Sequence, residues 1–321
     1  MKILQIGAGY VGSALLPALL QKHQVAVIDN GWFGTSDEVA IRCADSHFIR
    51  GEADSLDTAD LISYDVVIFL AGLSNDPMAD HDPRENFRAN AALPAYLAYI
   101  AANAGVKKFI HSGSCSVYGN QPGTSTDETS PGAFYPYGVA KHMAEVGCLA
   151  QQERMSVVSF RKGTICGVSP RMRFDLVINR MALDAVRTGT ITVNATDTMR
   201  PILGIQDAVS AYVRAVELPC SGIFNLHSFN TRIGDLAEIV RHAVASVTGG
   251  RISINDLQGN DLRSYSADSN KAKRLLGWRP EASAWNIATE VAQYILGSSE
   301  DFDDPKFYNI ATFKALDSRV L

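Results

Sequence analysis

Residues 2–20, KILQIGAGYVGSALLPALL, join an apolar run to a cluster of three glycines and a second apolar run. Residues 2–6 have the character of a strand, and the run after Gly12 suits a helix. Between them, Gly7, Gly9 and Gly12 form the pattern G-x-G-x-x-G, which permits a tight turn and the close approach of a ligand to the backbone. The stretch therefore predicts a strand–turn–helix unit whose helix N-terminus can bind phosphate groups.

Further apolar runs follow at intervals that favour strands alternating with helices. We predict strands within 25–29, 47–54, 65–71, 107–113 and 157–163, and helices at about 88–104 and from Tyr137 onward. Strands that alternate with helices form a parallel sheet with helices on both faces. The predicted fold class is therefore α/β, a Rossmann-like doubly wound parallel sheet with a smaller C-terminal substrate-binding domain.

Asp29, which ends the second predicted strand, indicates that the glycine cluster binds a dinucleotide. A carboxylate at that place can accept hydrogen bonds from both ribose hydroxyls and would repel a 2′-phosphate, so the pattern predicts NAD in preference to NADP. The alternative is a plain strand-to-helix turn with a loop-capping Asp. Glu52 can reach the adenine amino group, but a solvated loop acid explains it equally well.

The regular alternation of predicted strands and helices ends at about residue 165, where loops rich in Arg, Asn and Asp begin. We expect residues 1–165 to form an NAD-binding Rossmann-like domain, to which the segment at about 200–228 returns. Residues 166–321 are expected to form mainly the substrate-binding domain and a C-terminal tail. Two helices are predicted in this part, near 233–247 and 284–296.

The stretch FYPYGVAK, residues 134–141, places Tyr137 and Lys141 on one face of the predicted helix. A nearby ammonium favours the phenolate and would lower the pKa of Tyr137, so that the phenol can transfer protons near neutral pH. Ser114 follows the strand that ends at Gly113, and its hydroxyl can orient a substrate oxygen. These three residues predict a catalytic set for hydride and proton exchange at a carbinol, with Lys141 also holding the nicotinamide ribose. The alternative is a packed Tyr and a solvated Lys.

Composition narrows the class of protein. The 321 residues are 46% hydrophobic and 20% charged with a net charge of -5, which is typical of a globular protein and argues against a general nucleic-acid binder. The five cysteines are scattered without a CxxC pair and predict reduced thiols, no zinc site and a cytoplasmic location. No apolar run is long enough for a membrane span, and we identify no signal-peptide layout.

Several motifs in the same order resemble the extended short-chain dehydrogenase/reductases, and within them the NAD-dependent sugar-nucleotide epimerases and dehydratases. The motifs are GAGYVG (7–12), SCSVYG (114–119), PYGVAK (136–141), RKGTICG (161–167), RPILGIQDA (200–208) and RSYSADSNKAKRLLGWRP (263–280). One departure is Gln5-Ile6, where the family usually has Thr-Gly. The resemblance implies NAD as cofactor, a nucleotide sugar as substrate and a homodimer.

The resemblance also implies functional residues. By this likeness Ser114, Tyr137 and Lys141 are catalytic, Asn90 is a structural Asn beneath the site, and Arg200 and Arg263 lie near the nucleotide diphosphate. The residues expected to contact the cofactor are Gly7, Gly9, Tyr10, Val11, Gly12, Asp29, Asn30, Glu52, Leu70, Ala71, Gly72, Asn90 and Lys141. Those expected to contact the substrate are Ser74, Asn75, Ser114, Ser116, Tyr137, Thr164, Asn179, Arg200 and Arg263.

The residues after Ser114 help to choose the reaction. Family 4,6-dehydratases resemble one another in an Asp-Glu pair there, and decarboxylases tend to keep the Glu, whereas this chain has Cys115-Ser116. Cys115 is a possible base for a 3,5-epimerase, although no His partner is evident. An epimerase, acting at C4 by transient oxidation to a keto sugar, needs only the catalytic set and NAD. The alternatives are a net dehydrogenase/reductase, a dehydratase and a non-catalytic NAD sensor.

Other residues support weaker hypotheses. Ser74 and Asn75 can touch the sugar or form a turn, and Arg171 and Arg173 can bind phosphates or lie solvated on the surface. Lone histidines such as His81 and His111 are more often structural than proton shuttles. The tail after residue 300 is expected to cover either the substrate mouth or a neighbouring subunit. The helix near 88–104 and the Tyr137 helix are candidates for the dimer interface.

Overall fold

A computed structural model describes residues 1–33, 47–259, 261 and 263–317. Its centre is a seven-stranded sheet in which every neighbouring pair runs parallel. The predicted α/β fold class is therefore confirmed. The strands of this sheet are β1 (Lys2–Ile6), β2 (Gln24–Asp29), β3 (His47–Arg50), β4 (Val66–Phe69), β5 (Lys108–Ser112), β7 (Ser156–Lys162) and β11 (Gly222–Leu226).

The order of these strands creates the place where a ligand binds. From edge to edge it is β11, β7, β5, β4, β1, β2 and β3. The chain thus builds outward from β1 in one direction through β2 and β3, and then in the other direction from β4. In doubly wound sheets the crevice at such a reversal, outside the carboxyl ends of the strands, is the usual ligand site. Here it lies between β1 and β4.

Three small sheets stand beside the large one. In the first, β10 lies between β12 and β8; the second pairs β13 with β9, and the third pairs β14 with β6. Strand β11 pairs with β7, so the large sheet includes a strand that comes after residue 200. The additional strands are β6 (Thr124–Ser125), β8 (Thr164–Cys166), β9 (Thr190–Val193), β10 (Met199–Gly204), β12 (Phe229–Arg232), β13 (Ser253–Asp256) and β14 (Ser266–Ala267).

Helices cover both faces of the large sheet and form the C-terminal part. The helix predicted at 88–104 contains a π-helical stretch, Arg88–Ala92, before its α-helical part. The α-helices are α1 (Tyr10–Leu20), α2 (Thr58–Leu61), α3 (Asp76–His81), α4 (Pro83–Phe87), α5 (Leu93–Asn103), α6 (Pro136–Leu149), α7 (Val177–Thr188), α8 (Ile205–Glu217), α9 (Ile233–Thr248), α10 (Asn270–Leu275), α11 (Ala284–Gly297) and α12 (Asn309–Asp317). Short 3₁₀ turns occupy Ala53–Ser55, Cys115–Tyr118 and Pro305–Phe307.

The hydrophobic core follows this layering. One buried cluster lies between the sheet and α1 and α8, and another lies on the opposite face under α5. A third cluster joins α7, α9 and α11, the helices of the C-terminal part. Within the described ranges, no helix is both long and apolar enough to cross a membrane.

Candidate active site

A cavity of about 660 Å³, called the pocket below, opens at the carboxyl ends of the central strands. Almost all of the residues predicted from the sequence line it, from Gly7 and Asp29 on one side to Arg200 and Arg263 on the other. Among the predicted residues, Asn90 and Asn179 do not line it. The fold therefore brings together segments that are distant in sequence, at the crevice expected from the strand order.

The glycine turn leaves room for a ligand where the sequence predicts one. Gly7 has a φ of 104°, and a Cβ on Gly12 would lie 2.2 Å from the Gly7 carbonyl oxygen, so both positions require glycine. A Cβ on Gly9 would meet no atom within 4 Å, which means that this glycine borders open space. Gln5, at the departure from the family pattern, is buried and donates from Nε2 to the carbonyls of Gly7 and Gly12. Its side chain therefore braces the turn.

Asp29 is anchored at the end of β2. Its carboxylate accepts hydrogen bonds from the backbone N–H of Ala8 and of Gly31, each at 2.7 Å. The neighbouring Asn30 donates from Nδ2 to both carboxylate oxygens of Glu52 at 3.2 Å. The two acids thus stand side by side at this end of the pocket. Their contacts with a ribose and an adenine stay predictions.

The three predicted catalytic side chains converge on the pocket. Ser114 follows β5, and its Oγ accepts from the Ser116 N–H and donates to Ser116 Oγ, each at 3.1 Å. Tyr137 and Lys141 are carried by α6, which begins at Pro136, and Tyr137 hydrogen-bonds with Ser114. The Lys141 ammonium lies 5.8 Å from the centroid of the Tyr137 ring and donates to the Ser112 carbonyl at 3.3 Å. The geometry predicted from their spacing is present.

The electrostatics of Tyr137 differ from the sequence prediction. Burial raises the pKa of the phenol well above its ordinary value, the Asp76 carboxylate raises it further, and the hydrogen bond with Ser114 lowers it only partly. Burial also lowers the pKa of Lys141 to about 8. Desolvation therefore dominates the pKa of Tyr137, and Lys141, which the sequence analysis expected to lower it, is not among the groups that shift it most.

A second lysine that the sequence analysis did not single out lies beside Lys141. Lys162, at the end of β7, lines the pocket and donates to Ser112 Oγ. Burial and repulsion from the Lys141 ammonium lower its pKa to about 7. His111 is fully buried behind the two lysines, with Nδ1 3.0 Å from Ser159 Oγ, and burial holds its pKa well below the ordinary value. It is a structural histidine and does not line the pocket.

Helix α6 is tied to the sheet by a buried ion pair. Glu145, two turns after Tyr137, contacts the Arg161 guanidinium of β7 at 2.6 Å, and both side chains are at most 3% exposed. Arg161 also donates to the Tyr118 hydroxyl at 3.0 Å. The pair fixes the helix that carries Tyr137 and Lys141.

The arginines predicted for the diphosphate lie in a network of opposite charges. Arg263 pairs with Asp76 and with Asp261, and Arg200 pairs with the same Asp261 at 2.7 Å. Asp76 starts α3, where Asn75 accepts from the Met78 N–H as the N-cap. Burial raises the pKa of Asp76 although Arg263 opposes this. Asp76 and Tyr137 both line the pocket, and the Asp76 carboxylate raises the pKa of the phenol, an effect that the sequence analysis missed.

Two residues predicted to contact ligands do not line the pocket. Asn90 is fully buried, donates to the Leu73 carbonyl at 3.0 Å, and lies with its Oδ1 under Gly72, where a Cβ would approach it to 2.3 Å. Asn179 is also fully buried: Oδ1 accepts from the Gly167 N–H and Nδ2 donates to the Arg173 carbonyl, each at 2.9 Å. Both side chains support the backbone around the pocket, and their contacts with a cofactor or a substrate stay predictions.

Cys115 is a core residue. It is fully buried, its thiol donates to the Arg161 carbonyl at 3.2 Å, and burial raises its pKa far above the ordinary value. A thiol in this state is not a base for proton abstraction. Cys43 lies outside the described residues.

The C-terminal tail contributes a residue to the pocket. Asn309, at the start of α12, lines the pocket and donates from Nδ2 to Ser74 Oγ at 2.9 Å. Its backbone N–H donates to the Asp175 carboxylate at 3.3 Å. Farther along α12, Phe313 packs edge-on against His81 with ring centroids 5.9 Å apart. Ser74 is thus bridged to the tail as well as bordering the pocket.

The two arginines of the segment SPRMRFD are buried, so the alternative of solvated surface arginines is wrong. Arg171 and Arg173 are 4% and 6% exposed, and both line the pocket. Arg173 forms a two-point pair with Asp175, at 2.8 and 2.9 Å. Asp175 was not predicted, although its spacing from Arg173 in the sequence is a usable signal.

Comparisons with known proteins agree with this geometry. The sequence model of the NAD dependent epimerase/dehydratase family matches residues 6–226. UDP-glucuronic acid decarboxylase 1 from Xenopus tropicalis is 27% identical over 290 residues, 85% of this chain and 67% of that protein. UDP-glucose 4-epimerase from Neisseria meningitidis serogroup C is 24% identical over 334 residues, 93% and 98% of the two chains. The crystal structure of UDP-glucuronic acid 4-epimerase from Bacillus cereus, in complex with UDP-glucuronic acid and NAD, superposes with a TM-score of 0.82 at 25% identity, covering 92% and 99%.

Proposed function

The chain belongs to the NAD dependent epimerase/dehydratase family, and on that premise we propose that it is an NAD-dependent epimerase of a nucleotide-activated sugar, acting at C4. The observation that carries the proposal is the convergence of Ser114, Tyr137 and Lys141 on the pocket that the glycine turn borders. The similar 4-epimerases from Bacillus cereus and Neisseria meningitidis add support. Chemically, such an epimerase oxidises one carbinol, lets the keto sugar turn, and reduces the other face.

The pocket fits NAD. Gly9 borders open space, and the first turn of α1 presents free N–H groups and a positive dipole end to a pyrophosphate. Asp29 would accept from the adenosine ribose, and Lys141 would hold the nicotinamide ribose. When bound, NAD supplies a hydride acceptor and, after reduction, a hydride donor.

The chain's own residues supply the proton. In the oxidative half-reaction, the Tyr137 oxygen takes the proton of the sugar C4 hydroxyl while the C4 hydride departs. In the reductive half, the phenol returns a proton to the ketone oxygen. Ser114, hydrogen-bonded with Tyr137, orients that oxygen. Burial favours the neutral phenol, which is the form that donates a proton in the reductive half-reaction. A positive charge brought near the phenol would favour the phenolate, the form that accepts a proton in the oxidative half-reaction.

A second candidate function is oxidative decarboxylation of a UDP-uronic acid. The observation that favours it is Asp76, a carboxylate with a raised pKa beside Tyr137. After oxidation at C4, the sugar is a β-keto acid that loses CO₂, and Asp76 would protonate the resulting C5 carbanion. Similarity to UDP-glucuronic acid decarboxylase 1 supports this reading. Against it, Cys115-Ser116 lacks the carboxylate expected after Ser114 in decarboxylases of the family.

A labelled substrate separates the reactions. Incubate the enzyme and a trace of NAD with UDP-glucose or UDP-glucuronic acid carrying deuterium at C4, and follow the sugar by NMR and mass spectrometry. The epimerase forms a C4 stereoisomer far in excess of NAD, with deuterium retained. A product lighter by CO₂ establishes the decarboxylase, and stoichiometric NADH with a released keto sugar establishes a dehydrogenase. Tyr137→Phe is the matched inactive control.

We further propose a cytoplasmic homodimer whose residues 166–321, apart from the return to the sheet, form the substrate-facing part. The face shared by α5 and α6 supports the dimer, because Tyr99, Met143 and Val146 on it are 52%, 52% and 56% exposed. Free thiols support the location. Light scattering of wild type and Val146→Glu tests the dimer: a wild-type monomer overturns it, whereas a monomer from the variant alone supports it.

A further inference from the structure

Arg171 carries a charge for which the described residues provide no ionic partner. Arg171 is only 4% exposed, yet it takes part in no ion pair among the described residues. Its Nε and Nη2 atoms also have no hydrogen-bond partner among those residues. The guanidinium lies over the Phe33 ring at 5.1 Å. A buried cation without a counter-charge is costly, and proteins retain one where it serves a ligand.

The neighbouring Arg173 is an internal comparison. It is similarly buried but forms a two-point pair with Asp175. Burial and repulsion from Arg173 lower the pKa of Arg171 to about 9, while Asp175 and Asp29 oppose this only in part. Arg173 therefore pairs with an anion of its own segment, whereas Arg171 has no ion-pair partner among the residues that the structure describes.

The backbone holds Arg171 rigidly against the glycine turn. Its N–H donates to Ser13 Oγ at 3.3 Å, and Ser13 is in the first turns of α1. Two further hydrogen bonds of 2.6 Å fasten the segment, from Ser169 Oγ to the Tyr10 carbonyl and from the Tyr10 hydroxyl to the Gly167 carbonyl. The backbone of Arg171 thus lies against the first turns of α1, and its side chain lines the pocket that the glycine turn borders.

We propose that Arg171 is a pyrophosphate-binding residue for NAD, a role that rests on the function proposed above. The guanidinium would supply charge-assisted N–H donors to the phosphate oxygens from the side opposite the backbone N–H groups of α1. Its neighbours Ser13 and Phe33 belong to the cofactor side of the pocket. The nucleotide-sugar diphosphate has other cations, Arg200 and Arg263, beside Asp261.

The test compares NAD and ADP-ribose, which carry the cofactor's pyrophosphate, with adenosine, which has no phosphate, and with UDP, whose diphosphate belongs to the nucleotide-sugar side of the pocket. On the full chain freed of co-purified nucleotide, titrate NAD, ADP-ribose, adenosine and UDP into wild type, Arg171→Met and Arg171→Lys by calorimetry. Arg171→Met should weaken NAD and ADP-ribose about 10- to 100-fold and leave adenosine and UDP within about twofold. Arg171→Lys keeps the positive charge but loses the planar guanidinium with its several N–H donors, so its affinity for NAD and ADP-ribose should lie between those of wild type and Arg171→Met.

A stability measurement separates ligand binding from a structural role. Because Arg171→Met removes an uncompensated buried cation, the melting temperature of the nucleotide-free protein should stay the same or rise. Unchanged NAD affinity in both variants, or a loss confined to UDP, overturns the proposal. A lower melting temperature with equal loss for adenosine shows a packing role and also overturns it. If the wild-type protein does not bind NAD, the proposed function is refuted instead. If Arg171→Met does not fold, the NAD affinity of Arg171→Lys alone decides the role of Arg171.

Discussion

Lys162→Met tests how much stability is lost to keep a second ammonium group in the pocket. The folded protein holds the pKa of Lys162 near 7, against an ordinary value of 10.5. The unfolded chain therefore binds more protons than the folded chain between pH 7 and 10.5. Stability must rise with pH across that window, and the penalty is fully present below pH 7.

The size of the effect follows from the same pKa difference. It corresponds to an upper bound of about 5 kcal/mol. Because Lys162 lines an open pocket, water screens its charge, and we expect about 2 kcal/mol. Methionine retains the unbranched stem but loses the hydrogen bond to Ser112. The variant should therefore melt about 3 °C above wild type at pH 6.5, with the gap closing towards pH 10.5.

Differential scanning fluorimetry at pH 6.5, 8 and 9.5 measures this gap. The matched control is Lys22→Met, which removes a lysine whose side chain is 64% exposed; its melting difference should not depend on pH. If the difference between Lys162→Met and wild type is constant over this range, or grows with pH, the desolvated ammonium is not the cause and the reasoning is refuted.

Three further predictions concern the cofactor, the chemistry and the frame of the site. Tyr137→Phe should lower kcat about 10²- to 10⁴-fold in the labelled-sugar assay with NAD affinity unchanged; a near-wild-type rate removes the proton-transfer role. Asp29→Asn should narrow the preference for NAD over NADP at least ~10-fold in titrations of both cofactors, and tighter NADP binding by wild type contradicts the assignment. Glu145→Gln leaves the buried Arg161 guanidinium without its counter-charge and should cost about 3–5 kcal/mol in urea unfolding, whereas a cost below about 1 kcal/mol shows that the pair does not hold α6.

The sequence was most informative where function depends on local spacing. Two motifs define local structure over only a few residues. They are the glycines Gly7, Gly9 and Gly12 between a strand and a helix, and Tyr137 four residues before Lys141. The strand order then has few alternatives, because parallel strands with helical crossovers follow right-handed rules. These signals, together with the family resemblance, were enough to predict the fold class and part of the lining of the pocket.

The remainder depends on contacts between distant segments. Asp76 reaches Tyr137 only because α3 and α6 meet above the sheet, and Arg263 finds Asp76 from a loop near the C-terminus. Nothing in the local pattern distinguishes Asn179, which braces a loop, from an Asn that faces a ligand. The sign of the pKa shift of Tyr137 likewise depends on the depth of burial, which spacing alone does not give.

The bridge from Asn309 to Ser74 means that two portions of the gene build one cavity. The residues proposed for proton transfer and the glycine turn lie in the portion that the family model matches, residues 6–226, whereas Asp261, Arg263 and Asn309 line the pocket from outside it. Substitutions in the later portion can reshape what the cavity admits while the reacting groups stay in place. Exchange of this C-terminal portion between relatives is therefore a direct route by which new sugar selectivity can evolve.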